Sequence, residues 1–423
     1  MSSRVDSPEP GTLARAPTLG RFREDAALWA AFSWGACAFF PVGVAYLNLV
    51  LMLVALSIAP DIRLRVRALT ASPLWWLIAL MVVWTVLVAV VGEKYPETST
   101  RLFHVFRVAL VLSVGLLLRK EQARAAFVGF VVGASIAFLI VLAHHVWGMP
   151  DWAIWNSLLA SRNNFSSANM ISMAVAAGLC LMVGVSRQPL GRNRWLLLAL
   201  AFAFAVTVAF HAISRNAQML LVALLLTVAM YRFRSLKAAA GALFSTLLLV
   251  AVAWQYSPTT QQRFVQLAND LHAVEAESNY ITSVGVRLRM YQVATQGMLA
   301  HPVIGTGLGS WLTIWRKESL PIDAQLPSGV TKLPSEINNP HNDYLLGGME
   351  TGVPGMLILA VLVGGFIVTG WRKRGVSGGT TVVVGVAIAL TALVNAPFRD
   401  AAFGMTLLWL LGVSASYSLV RDA

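Results

Sequence analysis

Long uninterrupted apolar runs constrain this chain more than any other feature. Residues 73–92 contain no charged side chain, and residues 125–148 contain none if their two histidines are neutral. About 18 consecutive apolar residues allow an α-helix to cross the hydrocarbon core of a bilayer. Strands of a membrane barrel alternate apolar and polar residues, so continuous runs favour helices over a barrel. The runs therefore predict an all-α polytopic membrane protein.

Composition excludes several other classes of protein. Of the 423 residues, 57% are hydrophobic and 12% are charged, whereas a soluble domain carries about 25% charged residues. This composition excludes a soluble enzyme and a disordered chain. The two cysteines both lie in apolar runs, which makes a disulfide framework an unlikely basis for the fold.

Charges and turn residues divide the apolar runs into twelve predicted membrane helices. The break between the first two depends only on Pro41 and Gly43. The twelve segments are 27–42, 44–59, 73–92, 101–118, 125–147, 165–185, 195–213, 216–231, 238–255, 353–371, 379–396 and 402–420. The predicted divisions of the chain are a loose cytoplasmic tail (1–26), helices 1–9 (27–255), a large outer loop with the candidate motifs and short helices (256–352) and helices 10–12 (353–420).

Basic residues indicate which side of the bundle is cytoplasmic. With both termini inside, 20 of the 32 Lys and Arg residues fall in cytoplasmic segments, together with 7 of the 19 acidic residues. Cytoplasmic loops of membrane proteins carry such a basic excess. We therefore expect the N- and C-termini on the cytoplasmic side of the membrane and the long loop on the outer side. The net charge of +13 then indicates contact with anionic lipid, with no nucleic-acid partner.

Arginines at or near the outer side of the predicted bundle are the first functional signal. Arg107 and Arg215 lie within or beside apolar segments, and a charge at the centre of a membrane helix costs roughly 2.5–3.5 kcal/mol. Arg162, Arg287 and Arg289 lie in outer segments. A guanidinium can donate two hydrogen bonds to one phosphate, so these residues favour a diphosphate ligand. Two alternatives stay open: Arg107 could snorkel or pair with a helix end, and Arg215 could be an interfacial anchor.

His341 provides the second functional signal. It follows a proline at the predicted start of a helix on the outer side. A neutral imidazole is a natural base for taking a proton from a sugar hydroxyl near neutral pH. Asp343 or Glu350 could orient the ring, although Asp343, two residues further on, would point to another helix face. The alternative is that the polar side chains of residues 341–343 cap the helix.

Two further patterns give weaker signals. His144 and His145 lie at an outer helix end, but adjacent helix positions diverge by about 100° and no carboxylate follows at the fourth position. We therefore expect no metal site. Residues 305–309 are glycine-rich, yet they lack the Lys-Ser/Thr of a phosphate-binding loop, and they predict a turn.

Four motifs in the second half of the chain together resemble those of the O-antigen ligase/polymerase superfamily. They are RLRMY at 287–291, AHPVIGTGLGSW at 300–311, HNDYL at 341–345 and ETGVPG at 350–355. Ser214-Arg215 resembles a short periplasmic hairpin of that superfamily, whereas Tyr291 stands where many members have Trp. The predicted topology, with many helices and one large late loop, is also similar.

The resemblance implies a GT-C-like glycosyltransferase that uses an undecaprenyl-diphosphate-linked glycan as donor and lipid A–core as acceptor. It places the protein in a bacterial inner membrane, with the long loop and the active site facing the periplasm. It implies that Arg215 and Arg287 bind the diphosphate and that His341 is the general base, with inversion at the anomeric carbon. It implies neither a metal nor ATP. The further substrate-binding candidates are Arg289, Arg162, Asn342, Asp343, Tyr344 and Glu350.

Other functions remain open beside the favoured O-antigen ligase. O-antigen polymerases, which use a second lipid-linked repeat as acceptor, share these motifs. So do protein O-oligosaccharyltransferases, but those usually have a sizeable C-terminal periplasmic region, which we do not expect after residue 420. A transporter or flippase of lipid-linked glycans usually shows pseudo-symmetric halves with paired broken helices, and the sequence shows no such symmetry.

Overall fold

The computed structural model is helical throughout the part of the chain that it describes. That part comprises residues 19–147, 164–211, 214–256, 261–262, 265–266, 268–270, 272, 280–324, 326 and 333–419. These residues contain no β-strand, which confirms the all-α prediction. The predicted candidate Arg162 lies outside the described residues.

Fifteen α-helices can be bounded within the described residues, and each of the twelve predicted segments coincides with one of them. The bounds are α1 Leu19–Ala36, α2 Val42–Ser57, α3 Ile62–Thr70, α4 Pro73–Val91, α5 Thr98–Leu116, α6 Lys120–Trp147, α7 Asn164–Gly184, α8 Asn193–His211, α9 Arg215–Phe233, α10 Leu236–Tyr256, α11 Ser283–Ala300, α12 Ser310–Asp323, α13 Asp343–Arg372, α14 Val376–Val394 and α15 Ala401–Leu419. The additional helices are the short α3, and α11 and α12 in the long loop.

Seven of these helices are long and apolar enough to cross a membrane, which makes the chain a polytopic membrane protein. They are α4, α5, α6, α8, α9, α13 and α14. Helices α2 and α3 meet at a bend of 108° and supply an eighth span if the pair is one crossing. Within α7 and α15, the shorter apolar stretches are Ala168–Gly184 and Phe403–Ser416. The polytopic prediction is confirmed, and the number of twelve spans stays a prediction.

The start of the first helix differs from the sequence prediction. A loose tail is expected through residue 26, but α1 already begins at Leu19. Pro17 is the last proline before this point, and the charged residues 21–25 can continue a helix beyond the hydrocarbon, where water still solvates them. The predicted break before the second segment is confirmed, since Pro41 is the N-cap residue of α2.

Helix α15 lies at the centre of the bundle. All residues from Phe403 to Ser416 are buried, and the helix packs against α5 and α14. The Trp409 indole also stacks on that of Trp34 in α1, with ring centroids 4.5 Å apart. A helix surrounded on all sides can be apolar around its whole circumference, which explains why the α15 sequence shows no polar face.

The two ends of α5 carry different polar contacts. At its C-terminal end, the Leu117 carbonyl accepts a hydrogen bond from Arg65 Nη1 (3.1 Å). Arg65 and Arg119 also form salt bridges with Asp61, at 2.9 and 2.7 Å. These residues belong to the predicted cytoplasmic segments. The N-terminal end of α5, with Arg101, contacts the long loop instead.

The described helices of the long loop have an apolar cluster of their own. Trp311 and Trp315 of α12 are fully buried and stack with centroids 5.5 Å apart. Met290 and Val293 of α11 and Met349 of α13 belong to the same cluster. The cluster joins α11 and α12 to the first turns of α13, so this part of the loop is held against the membrane-spanning bundle.

Helix α13 is broken where the predicted loop meets the predicted tenth segment. Gly352 has φ 75° and ψ 175° within the helix, a conformation that residues with a side chain avoid. The Val353 amide donates to the Pro302 carbonyl (2.8 Å), and the Thr306 amide donates to the Met349 carbonyl (2.7 Å). The turn from Pro302 to Thr306 therefore supplies hydrogen-bond partners at the break, where the regular helical pattern is lost.

We predict that Gly352→Ala destabilises the folded protein. A Cβ at this position would lie 2.2 Å from the Val303 carbonyl oxygen, and a side chain at positive φ costs about 1–3 kcal/mol by itself. The apparent melting temperature of the purified protein in detergent should fall by several degrees. Gly364→Ala, in the same helix, is the control, because a Cβ there meets nothing within 4 Å. Equal melting temperatures for the two variants would contradict this account of the break.

Candidate active site

His341 lies in a sharp turn immediately before α13. Its φ of 54° is in the left-handed region, which is uncommon for a residue other than glycine. Its backbone amide donates to Asn339 Oδ1 (2.9 Å). The next residue, Asn342, is the N-cap, and its Oδ1 accepts from the Leu345 amide (3.0 Å). The capping prediction thus applies to Asn342, which leaves the His341 imidazole available for other contacts.

The imidazole of His341 is half-buried and held as a neutral group. Burial and the nearby Arg287 guanidinium both disfavour the imidazolium, whereas a side-chain hydrogen bond with Asn395 favours it. Burial is the largest of these effects, and together they lower the pKa of His341 to about 4. A histidine with this pKa is unprotonated near neutral pH and can accept a proton.

Arg287 and Tyr291 bring α11 against this turn. They are four residues apart, so they lie on the same face of the helix. The Tyr291 hydroxyl is 3.5 Å from the carbonyl oxygen of His341 and 3.4 Å from that of Leu393. Burial raises the pKa of Tyr291, and the Arg287 charge acts in the opposite direction. Helix α11 therefore contacts both the His341 turn and the C-terminal end of α14.

Arg215 lies near the same C-terminal end of α14. It is the first residue of α9, following the N-cap Ser214. The adjacent Asn216 donates from Nδ2 to the carbonyl oxygen of Val394 (3.4 Å), one residue before Asn395. The C-terminal end of α14 is thus the point at which the start of α9 meets the His341 turn. The three predicted catalytic residues, although far apart in sequence, are placed around this point.

Besides Glu350, four of the predicted substrate-binding residues have other partners. Arg289 forms a salt bridge with Glu318 of α12 (2.9 Å), and the Tyr344 hydroxyl donates to the Ala389 carbonyl (3.4 Å). Asp343 Oδ2 accepts from the backbone amide of Phe398 (2.9 Å). The fourth is Asn342, the cap residue described above.

The prediction that Asp343 or Glu350 orients His341 is wrong. Glu350 is buried and forms a salt bridge with Arg101 of α5, with Nε and Oε1 3.0 Å apart. Asp343 is buried and bound to the turn before α15. Both carboxylates lie on helical residues of α13 that face neighbouring elements, whereas His341 precedes the helix and turns towards Asn395.

Sequence reasoning missed Asn395, Arg101 and Arg399. Asn395 follows α14 in a short polar segment between two apolar runs, which was the only available signal for it. Arg101 donates from Nη2 to the Asn338 carbonyl oxygen (3.2 Å), and Arg399 donates to the same oxygen. The two arginines therefore hold the backbone three residues before His341.

Arg107 has the structural role that the sequence left open. It is buried in α5 and donates from Nη2 to the carbonyl oxygens of Phe398 (3.3 Å) and Arg399 (2.6 Å). Its Nη1 donates to the Tyr46 hydroxyl (3.1 Å). Arg107 thus anchors the turn between α14 and α15. Within the described residues, no group of three or more His, Cys, Asp or Glu side chains is arranged to hold a metal ion.

Part of the chain matches a known protein family. Residues 200–360 match the family model described as O-antigen ligase. This segment is similar to an O-antigen ligase domain. This confirms the resemblance to the superfamily, and the matched segment contains Arg215, Arg287 and His341. Asn395 and the arginines of α5 lie outside the segment that matches the O-antigen ligase model. No curated protein matches the chain.

The altered pKa of His341 gives a test of this geometry that does not depend on activity. We predict a pKa of about 4 by NMR titration of protein labelled at histidine, with His341→Gln identifying the resonance. Arg287→Met should raise this pKa because it removes a repelling charge. Asn395→Leu should lower it because it removes the hydrogen bond that favours the imidazolium.

The lowered pKa of His341 also makes the stability of the folded protein depend on pH. Because the folded pKa lies below the ordinary 6.5, protonation favours the unfolded chain as pH falls from about 6.5 to about 4. His341 therefore contributes its full stabilisation above about pH 6.5, and this stabilisation is lost as the pH falls to about 4. A His341 pKa near 6.5 in the folded wild-type protein would contradict the contacts with Arg287 and Asn395.

Proposed function

We propose that this protein is an O-antigen ligase, which transfers a glycan from undecaprenyl diphosphate to a sugar hydroxyl of lipid A–core. The observation that supports this best is the arrangement of residues at the C-terminal end of α14. There the neutral His341 lies beside Arg287, and the helix that begins with Arg215 joins the same point. A base beside one arginine, with a second arginine at the start of a helix that reaches the same end of α14, suits a reaction in which a hydroxyl attacks and a diphosphate leaves.

In the proposed reaction, His341 takes the proton of the acceptor hydroxyl as its oxygen attacks the anomeric carbon of the donor sugar. The bond from that carbon to the diphosphate oxygen breaks, and undecaprenyl diphosphate leaves with the bonding electrons. Attack from the face opposite the leaving group inverts the anomeric carbon. Arg215 and Arg287 offset the negative charge that develops on the diphosphate. The donor bond supplies the driving force, so neither ATP nor a metal ion is required.

We further propose that the site faces the periplasm of the inner membrane, with both chain termini in the cytoplasm. The salt bridges of Asp61 with Arg65 and Arg119 lie at the end of α5 opposite the Arg101 contacts. This separation supports the orientation expected from the basic segments. Both substrates are lipid-linked, so they would reach the site from the bilayer.

The matched segment equally supports polymerase-type chemistry. In an O-antigen polymerase, a second lipid-linked repeat would present the attacking hydroxyl, and His341 and the arginines would have the same roles. The two functions differ in the acceptor, so analysis of the product distinguishes them.

We predict that a strain lacking this protein makes lipid A–core without O-glycan and accumulates polymer on the lipid carrier. An electrophoretic gel of its lipopolysaccharide, probed for core and for O-glycan, checks this. Wild-type protein should restore the attached glycan, whereas His341→Ala should slow transfer by about 10²–10⁴-fold at a normal protein level. Core bearing a single repeat would indicate a polymerase. Full activity of His341→Ala would exclude the proposed base and would favour a transporter.

We predict that Arg215→Ala and Arg287→Ala both weaken donor binding by about tenfold or more, equivalent to at least 1.4 kcal/mol. The lysine variants should recover only part of this, because an ammonium cannot form the bidentate contact of a guanidinium. Equilibrium binding of the undecaprenyl-diphosphate glycan to the purified protein measures the effect. Arg316→Ala is the control, since it removes the same charge from an exposed position in α12. Unchanged donor binding in both alanine variants would refute the assignment.

A further inference from the structure

A cavity between α4, α5 and α13 lies outside the candidate active site. It has a volume of about 710 Å³, measured together with its open mouth. Neither His341 nor the two candidate diphosphate-binding arginines line it. Its wall is largely apolar, and it includes Met81 of α4, Val105 of α5 and Ile358 of α13. Since these are helices with the length and composition of membrane spans, the wall suits a hydrocarbon chain.

The polar lining of the cavity includes hydrogen-bond donors without partners. Arg101 is buried, and its Nη1 has no hydrogen-bond partner among the described residues. The buried Nδ1 atom of His104, one turn further along α5, is also without a partner there. Arg399 lines the same cavity and forms no salt bridge within the described part of the chain. Buried polar groups are nearly always satisfied in folded proteins, so the unpartnered atoms of Arg101 and His104 indicate a ligand.

The carboxylates that line the cavity are already engaged. Glu350 accepts hydrogen bonds from Arg101 Nε (3.0 Å) and from the backbone amide of Trp311 (3.4 Å). Asp343 accepts from the backbone amide of Phe398. Glu97 and these two carboxylates raise the pKa of Arg399, but burial and the neighbouring Arg101 dominate and lower it to about 9. A bound anion would oppose that lowering, because it favours the charged guanidinium.

We propose that this cavity binds a phosphate-bearing amphiphile, with the phosphate at Arg101 and Arg399 and the hydrocarbon chain along Met81, Val105 and Ile358. Phosphate oxygens can accept from both guanidinium groups at once. The site is separate from the proposed donor site, and the proposal does not depend on glycan transfer.

Occupancy of the cavity has a consequence for the candidate active site. The two arginines that would bind the phosphate also hold the Asn338 carbonyl oxygen, and Asn338 is three residues before His341. A phosphate that fixes both guanidinium groups would therefore stabilise the turn that carries the proposed base. The ligand acts as a positioning element for His341, without contact with the reacting atoms.

The probe for this site is dodecyl phosphate, which has one chain and one phosphate. We expect native mass spectrometry of the full chain, released from a non-ionic detergent, to show one saturable dodecyl phosphate. Dodecanol tests the chain alone, and inorganic phosphate tests the anion alone. Equal binding of dodecanol would overturn the role of the arginines. Equal binding of inorganic phosphate, with displacement of the amphiphile, would assign the site to free phosphate and overturn the lipid proposal.

Two different variants test the location of the ligand. Arg399→Gln removes a charge from the polar lining, and Ile358→Trp fills the apolar part without a change of charge; each should weaken dodecyl phosphate binding by about tenfold. The matched controls are Arg374→Gln, an exposed arginine in a predicted cytoplasmic segment, and Val361→Trp, an exposed position of α13 outside the cavity. Equal binding by all variants would show adventitious adsorption and overturn the site. A loss confined to Arg399→Gln would place the phosphate near this arginine but overturn the proposed position of the hydrocarbon chain along Ile358.

Discussion

The break in α13 at Gly352 is the constraint on which the outer half of the molecule depends. At this point the turn from Pro302 to Thr306 supplies hydrogen bonds to the interrupted helix. Two residues earlier, Glu350 is paired with Arg101 in buried surroundings. Removal of one member of such a pair typically costs about 3–5 kcal/mol, because an uncompensated charge stays buried. The break and the ion pair together hold the long loop against α4 and α5.

From this arrangement the position of His341 follows. Arg101 and Arg399 hold the backbone at Asn338, and Arg107 fixes the turn that contains Arg399. Buried charges in the spanning region therefore position a base that belongs to the loop. Such a network is costly to bury and is stable only because almost every member has a partner. Its few atoms without partners line the one cavity that we interpret as a ligand site.

The helices were largely predictable from the sequence, because each membrane span must satisfy its backbone hydrogen bonds internally and present apolar side chains to lipid. Arg215, Arg287 and His341 could be chosen as candidates from the sequence, since they lie in short recognisable motifs. The hydrogen-bond partner of the His341 ring could not be predicted from the sequence. Asp343 and Glu350 are near His341 in sequence, but they lie within α13, whereas His341 precedes the helix. Their side chains therefore point in other directions than the imidazole ring. Asn395 lies more than fifty residues away and reaches the ring only because α13 and α14 pack as neighbours.

The sequence by itself thus determined the class of fold, the membrane-spanning segments that carry the apolar runs and the motifs that resemble those of O-antigen ligases. Only the tertiary structure decided which charges pair, which arginines hold the His341 turn and where the helix breaks. The reason is physical. Hydrophobic periodicity is a local property that each segment carries alone, whereas a buried ion pair or a hydrogen bond across helices depends on the direction of two side chains distant in sequence.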